Sequence, residues 1–257
     1  MIFLLSVFTS ALGLRAIYPS QYAEMTKRSA HRFLAKIYLR DDFVCVGTMY
    51  RKDLAITTAT YMMQPLHLYS VNVPVANKTA IVYTKSHILS VEINPGIRLS
   101  ATPKHNLALV KLNQPQSEFT GLRLDLMGFG FKLGQFMTMF GWGEEKRGYS
   151  YYDVPLEIDI PIFRTKICAR VHRNKIDPES ELCAGHSVGN SDAYNFSPAS
   201  PLMYYYNRSF YIAGLYSWAE TYNREYYPNV FTRVSSYIGW ISSVDKKFDI
   251  IYRNKPI

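Results

Sequence analysis

The sequence predicts a mostly β protein of barrel or sandwich type, and three observations carry that prediction. Aromatic residues form 15% of the 257 residues, with 21 Tyr and 14 Phe. These side chains pack well on pleated, half-buried surfaces and lose rotamer freedom in helices. Short apolar runs recur along the chain with Gly, Pro, Asn or Asp between most of them, which is the spacing of strands and turns. Hydrophobic residues at 48% against charged residues at 19% supply a buried core and exclude a disordered, fibrous or coiled-coil chain.

Taken in order, Met1 to Leu14 is apolar and uncharged, with Ile2, Leu4, Leu5, Val7 and Phe8 followed by small residues at Ser10, Ala11 and Gly13. That is the length of a secretory leader's apolar core and well short of the roughly 20 residues that span a bilayer. Residues 1–13 are therefore expected to be a signal peptide and the protein to be secreted and extracellular. Strand-like runs follow at Phe33 to Leu39, Leu54 to Thr58, Ala80 to Tyr83, Leu107 to Leu112 and Phe136 to Phe140. The series continues at Leu156 to Ile162, Leu202 to Tyr204, Phe210 to Leu215 and Asn229 to Val234. Val234, Tyr237, Ile238, Ile241 and Val244 repeat at helical spacing, with Ser235 or Ser236 available as N-cap. A shorter helix is expected from Arg164 to His172.

Lys+Arg 29 against Asp+Glu 20 gives a net charge of +9, which draws a protein toward anionic glycans, membranes or nucleic acid without choosing among them. Secretion sets nucleic acid aside. The basic residues cluster at Lys27, Arg28, Arg32, Lys36 and Arg40, again at Arg164, Lys166, Arg170, Arg173 and Lys175, and in a tail at Lys246, Lys247, Arg253 and Lys255. The bland reading of these clusters is a solvated surface, and the sharper one an exosite for an acidic partner or sulfated glycan. Cysteines number three, Cys45, Cys168 and Cys183, so one internal bridge is the most the chain can hold. Acceptor tripeptides for N-glycosylation stand at Asn77, Asn195 and Asn207; Pro198 argues against use of the second. The six histidines show no metal-ligand spacing, and no metal or cofactor is expected.

Several strings, in this order, resemble the trypsin-like serine protease family. Cys45-Val46-Gly47-Thr48-Met49 with Leu54-Ala55-Ile56-Thr57-Thr58-Ala59-Thr60 is similar to the family's Cys-Gly-Gly-Ser-Leu … Val-Leu-Thr-Ala-Ala-His. Asn106-Leu107-Ala108-Leu109-Val110-Lys111-Leu112 resembles Asp-Ile-Ala-Leu-Ile-Lys-Leu. Gly141-Trp142-Gly143, Leu182-Cys183-Ala184-Gly185, Gly214-Leu215-Tyr216-Ser217-Trp218 and Pro228-Asn229-Val230-Phe231-Thr232-Arg233-Val234 extend the match. The resemblance implies the chymotrypsin fold: two six-stranded antiparallel β-barrels, over residues 17–118 and 119–257, closed by a C-terminal helix. It also implies a Cys168–Cys183 disulfide, with Tyr61 facing Cys45 in place of a second cysteine.

At each catalytic position the resemblance fails. The family's His is Thr60, which is no base near neutral pH, and its Asp is the uncharged Asn106. Its nucleophile turn, Gly-Asp-Ser-Gly-Gly-Pro, reads Phe196-Ser197-Pro198-Ala199-Ser200-Pro201. Pro198 lacks both the hydroxyl and the N–H that an oxyanion hole takes from that residue. Phe196 stands where a glycine normally tolerates positive φ. The specificity pocket keeps Asp192, while Asn229 and Ala219 replace glycines there. These readings lead to the expectation of a secreted, non-catalytic protease homologue, similar to those abundant in insects and not an enzyme. It would bind proteins as regulator, cofactor or decoy. The competing expectations are an endopeptidase with a displaced group, built from His105 with Ser197 or Ser200, and a glycan-binding protein.

Overall fold

A computed structural model of the chain describes residues 15–16, 30–76, 81–113, 122–128, 135–146, 150–151, 155–185, 196–220 and 227–248. The expected signal peptide, Asp192, Asn77 and Asn195 lie outside the described residues. The first sheet grows from the hairpin of β2 (Leu34–Leu39) and β3 (Asp42–Arg51), in which Ala35, Ile37, Cys45 and Met49 are buried. β4 (Leu54–Thr57), β5 (Tyr69–Ala76), β6 (Ile81–Ser86), β7 (Ile88–Ile93) and β8 (Ala108–Leu112) complete it in the order β6-β5-β2-β3-β4-β8-β7, every pairing antiparallel.

The second sheet contains β1 (Arg15–Ala16), β9 (Leu122–Leu124), β10 (Phe136–Gly141), β13 (Leu156–Pro161), β14 (Glu181–Ala184), β15 (Pro201–Tyr206), β16 (Ser209–Trp218) and β17 (Asn229–Arg233). Its pairings are antiparallel except that β9 runs parallel to β16. β11 (Glu144–Lys146) and β12 (Ser150–Tyr151) make a separate small ribbon. The expected all-β architecture of chymotrypsin type is what the chain adopts: two curled antiparallel sheets and a short C-terminal helix.

The sheets bury their apolar faces on each other. One cluster joins Leu34, Val46 and Leu107 of the first half to Phe140, Trp142 and Ile212 of the second and to Ile241 of the C-terminal helix. Trp142 is fully buried, its ring set edge-on to Phe43 at 5.7 Å and to Tyr83 at 6.0 Å. His31 is buried in the same contact, edge-on to Phe140 at 5.5 Å.

Helix α1 (Thr165–Val171) falls within the expected Arg164 to His172 span. At the C-terminus the pattern divides into a 3-10 turn, Val234–Tyr237, and α2 (Ile238–Val244). Ser235 and Ser236 therefore sit inside the turn and do not cap; Ser236 Oγ instead donates to the Glu179 carbonyl at 2.5 Å. Strands β3 and β5 were not among the clearest sequence runs. β3 is buried continuously from Cys45 to Arg51 and so lacks alternation, while β5 carries Asn72 and Pro74, residues depleted in strands.

Candidate functional site

Two of the three degenerate catalytic positions, Thr60 and Asn106, meet, and Asn106 reaches on to the second sheet, whereas Pro198 is held elsewhere, against Val46. Thr60 ends β4's continuation in a 3-10 turn (Ala59–Tyr61), and Asn106 precedes β8. The Thr60 backbone N–H and hydroxyl both donate to Asn106 Oδ1 at 2.9 Å. Asn106 Nδ2 donates to Ser217 Oγ on β16 at 2.9 Å, and its carbonyl accepts from Thr232 Oγ1 of β17 at 3.0 Å. Asn106 is 1% exposed, whereas Thr60 is exposed and Ser217 half-buried. The amide suits this place because it accepts on one side and donates on the other. Ser217 is the member that the sequence reading missed; its position in Gly214-Leu215-Tyr216-Ser217-Trp218 was the available signal.

The turn at Pro198 is held from both sheets. Its carbonyl accepts from the Val46 N–H of β3 at 2.9 Å, while Ala199 N–H donates to the Tyr216 carbonyl at 3.1 Å and Tyr216 N–H to the Ser200 carbonyl at 2.9 Å. The left-handed residue of this turn is Ala199, φ 61°. Phe196 does not take positive φ; it forms a bridge with Gly143 and is buried. Ser197 and Ser200 are fully buried, their hydroxyls 3.1 Å apart, and Ser197 Oγ accepts the Trp142 N–H at 3.2 Å. Gly141 is required here: a Cβ on it would lie 2.0 Å from Ser200 Oγ.

His105, φ 51°, places Nδ1 3.1 Å from the Tyr237 hydroxyl. Its hydrogen bond runs to the C-terminal turn, whereas the Ser197 and Ser200 hydroxyls bond to each other and Ser197 Oγ to the Trp142 N–H, so no hydrogen bond joins His105 to either serine. Of the expected pocket, Asn229 is buried at the start of β17 opposite Ala184, and Ala219 is half-buried just after β16.

Cys168 and Cys183 form a disulfide over a separation of 15 residues. Their sulfurs and a His172 nitrogen lie within 4.8 Å of one another, but both sulfurs are spent on the bridge. Cys45 is a buried free thiol beside Thr57 Oγ1 at 3.5 Å, pushed up to about 12 by burial. Arg164 and Lys166 of the basic cluster line a cavity of about 350 Å³ together with Arg233 and Leu182.

Charge is concentrated next to this neutral row. Lys104 binds Glu181, whose carboxylate also accepts Trp218 Nε1–H at 3.0 Å and the Asp177 N–H at 2.7 Å. Arg51 joins Asp53 at 2.7 Å and also Asp245, which follows α2.

Two curled antiparallel sheets closed by a short C-terminal helix define a fold of the chymotrypsin class. Residues 22–241 match the trypsin family model, and the chain belongs to that family. It is 25% identical over 254 residues to the thrombin-like enzyme bhalternin of Bothrops alternatus, covering 94% of this chain and 95% of that protein. It is 28% identical over 228 residues to the human hepatocyte growth factor activator serine protease, and 26% identical over 234 residues to the mouse protein of the same name. These last two alignments cover 83% of this chain and 34% of the relatives' length. The expectation that the chain is not an enzyme is corrected by these relatives, which are named as an enzyme and as serine proteases. That expectation rested on the residue types at Thr60, Asn106 and Pro198 alone. Among the described residues, no helix is long and apolar enough to cross a membrane.

Proposed function

We propose that this chain is a secreted trypsin-family protein that engages an extended polypeptide, as substrate or inhibitor, along the seam between its two sheets. The observation that supports this is the Thr60–Asn106–Ser217 row, which runs from the first sheet to the second through hydrogen bonds of 2.9 Å. The relatives' names support an endopeptidase whose reacting group is displaced from position 198. Burial narrows the choice of group: Ser197 and Ser200 are closed off, whereas Thr60 is exposed and Ser217 half-buried. A role as regulator or cofactor of other proteases uses the same seam to hold the polypeptide.

The test treats the purified chain with a fluorophosphonate, which labels an activated hydroxyl, and measures binding of peptides and of protein protease inhibitors in parallel. The endopeptidase reading expects labelling at Thr60 or Ser217, lost in Thr60→Val or Ser217→Ala. The holding role expects binding that both variants weaken. A chain that neither takes the label nor binds sinks the proposal.

A further inference from the structure

The sharpest unassigned feature outside the relay is the tip of the β15–β16 hairpin. Tyr206 pairs with Ser209, so the loop between the strands is the two residues Asn207 and Arg208, with φ 44° and 61°. Positive φ at both central positions is the type I′ geometry that matches strand twist, and asparagine is among the residues that tolerate it. Asn207-Arg208-Ser209 is also an acceptor tripeptide for N-glycosylation. Asn207 and Arg208 are exposed.

The neighbours of this turn are unusual. Tyr205 is 52% exposed and Tyr206 62% exposed, large aromatic surface left at a loop tip. Tyr205 lies opposite Phe210 in the register, and their rings are in contact at 5.0 Å. Tyr204 and Tyr211 instead stack at 5.1 Å on the other face, with Tyr206 6.5 Å from Tyr211. Tyr205 stands two residues before Asn207 at the foot of this tight turn, so an aromatic surface that is 52% exposed lies within a few residues of the acceptor amide. A pyranose presents axial C–H groups on one side, and these pack on the electron-rich face of an aromatic ring.

We infer that Asn207 is an N-glycosylation site whose first sugar packs on Tyr205, so that the glycan covers the exposed rim of the inter-sheet core at Phe210. In the covalent step, Asn207 Nδ2 bonds to C1 of the first N-acetylglucosamine of a lipid-pyrophosphate-linked oligosaccharide. The C1–O bond to the phosphate breaks, the lipid pyrophosphate leaves with that electron pair, and one amide proton is lost. Two consequences separate this from a bare tripeptide match. Occupancy depends on Tyr205, and the sugar stabilises the fold through its first residue.

The inference rests on the secreted part of the proposed function, and the experiment keeps the two apart. The full chain is expressed in a glycosylating eukaryotic host twice, with its own N-terminus and behind an added secretion leader. Occupancy at Asn207 is read by peptide mass spectrometry after amidase release in ¹⁸O water. Thermal unfolding is compared for the intact glycoprotein, for protein trimmed to one sugar by an endoglycosidase, and for protein stripped by the amidase. The expected result is occupancy in most molecules, severalfold lower in Tyr205→Ala. Trimming to one sugar should leave the midpoint unchanged and stripping should lower it by a few degrees. A glycan only behind the added leader refutes native secretion and upholds the site. An unoccupied Asn207 in both forms overturns the inference. So does an occupied one indifferent to Tyr205, with the same midpoint before and after stripping.

Discussion

Two seams of polar side chains run from the first sheet to the second, starting only two residues apart in the chain, and they differ in charge. Asn106 leads to Ser217 through neutral hydrogen bonds of 2.9 Å, with Thr60 at its outer end. Lys104 leads to Glu181, 3% exposed, whose carboxylate also takes the Trp218 indole N–H. A neutral seam has no charge to desolvate and loses only its own hydrogen bonds when cut. An ionic one leaves a stranded charge when one partner goes. The Asn106 seam is thus the tolerant one, and the interface relies on its neighbour.

Cutting the ionic seam should have the largest effect. Glu181→Ala leaves the Lys104 ammonium with the Lys175 carbonyl as its acceptor and orphans the Trp218 and Asp177 N–H groups, and is expected to lower unfolding free energy by about 3 kcal/mol, read from the urea midpoint. A loss below 1 kcal/mol would remove the contrast between the seams.

Acid should act through a third inter-sheet contact. His31 is held down to about 4, chiefly because burial disfavours its charged form, against the Leu156 backbone bond that raises it. An unfolded histidine takes up its proton near pH 6.5, so between there and about 4 the unfolded state binds the extra proton and stability falls with pH. The slope is at most about 1.4 kcal/mol per pH unit, roughly 3 kcal/mol in all. His31→Gln should flatten that interval, and a wild-type stability constant from pH 6.5 to 4 would refute the assignment.

Within the neutral seam the costs are smaller. Asn106→Leu, which unpairs Thr60 and Ser217, should cost about 1–3 kcal/mol. Thr60→Val should cost about 1 kcal/mol or less, because its hydroxyl is replaced by water at an exposed position. Thermal midpoints at two salt concentrations sharpen the comparison: salt should shift the Lys104 seam and leave this one unmoved.

The fold was legible because its signal is redundant: turn residues, aromatic strands and ordered strings all pointed to two β units. Ser217 was harder to see, since one hydroxyl in an apolar strand carries no periodicity. Its role appears only when β16 lies beside Asn106. The Pro198 turn misled in a similar way. The family resemblance puts the positive-φ position at the glycine that Phe196 replaces, whereas the chain places it at Ala199, in a turn fixed by backbone bonds to Val46 and Tyr216. The Lys104–Glu181 contact joins residues 77 apart, a separation over which no local pattern reports.

Cys45 turns the first sheet into its own clock. The thiol is fully enclosed, and burial pushes it up to about 12, so in the folded chain it is both out of reach of alkylating reagents and almost wholly protonated near neutral pH. Reagent consumption by this single sulfur therefore counts openings of the β2–β3–β4 core and nothing smaller. With alkylation made fast relative to reclosing, the labelling rate is the opening rate of that sheet; made slow, it is the reagent's intrinsic rate multiplied by the fraction of time the sheet stands open.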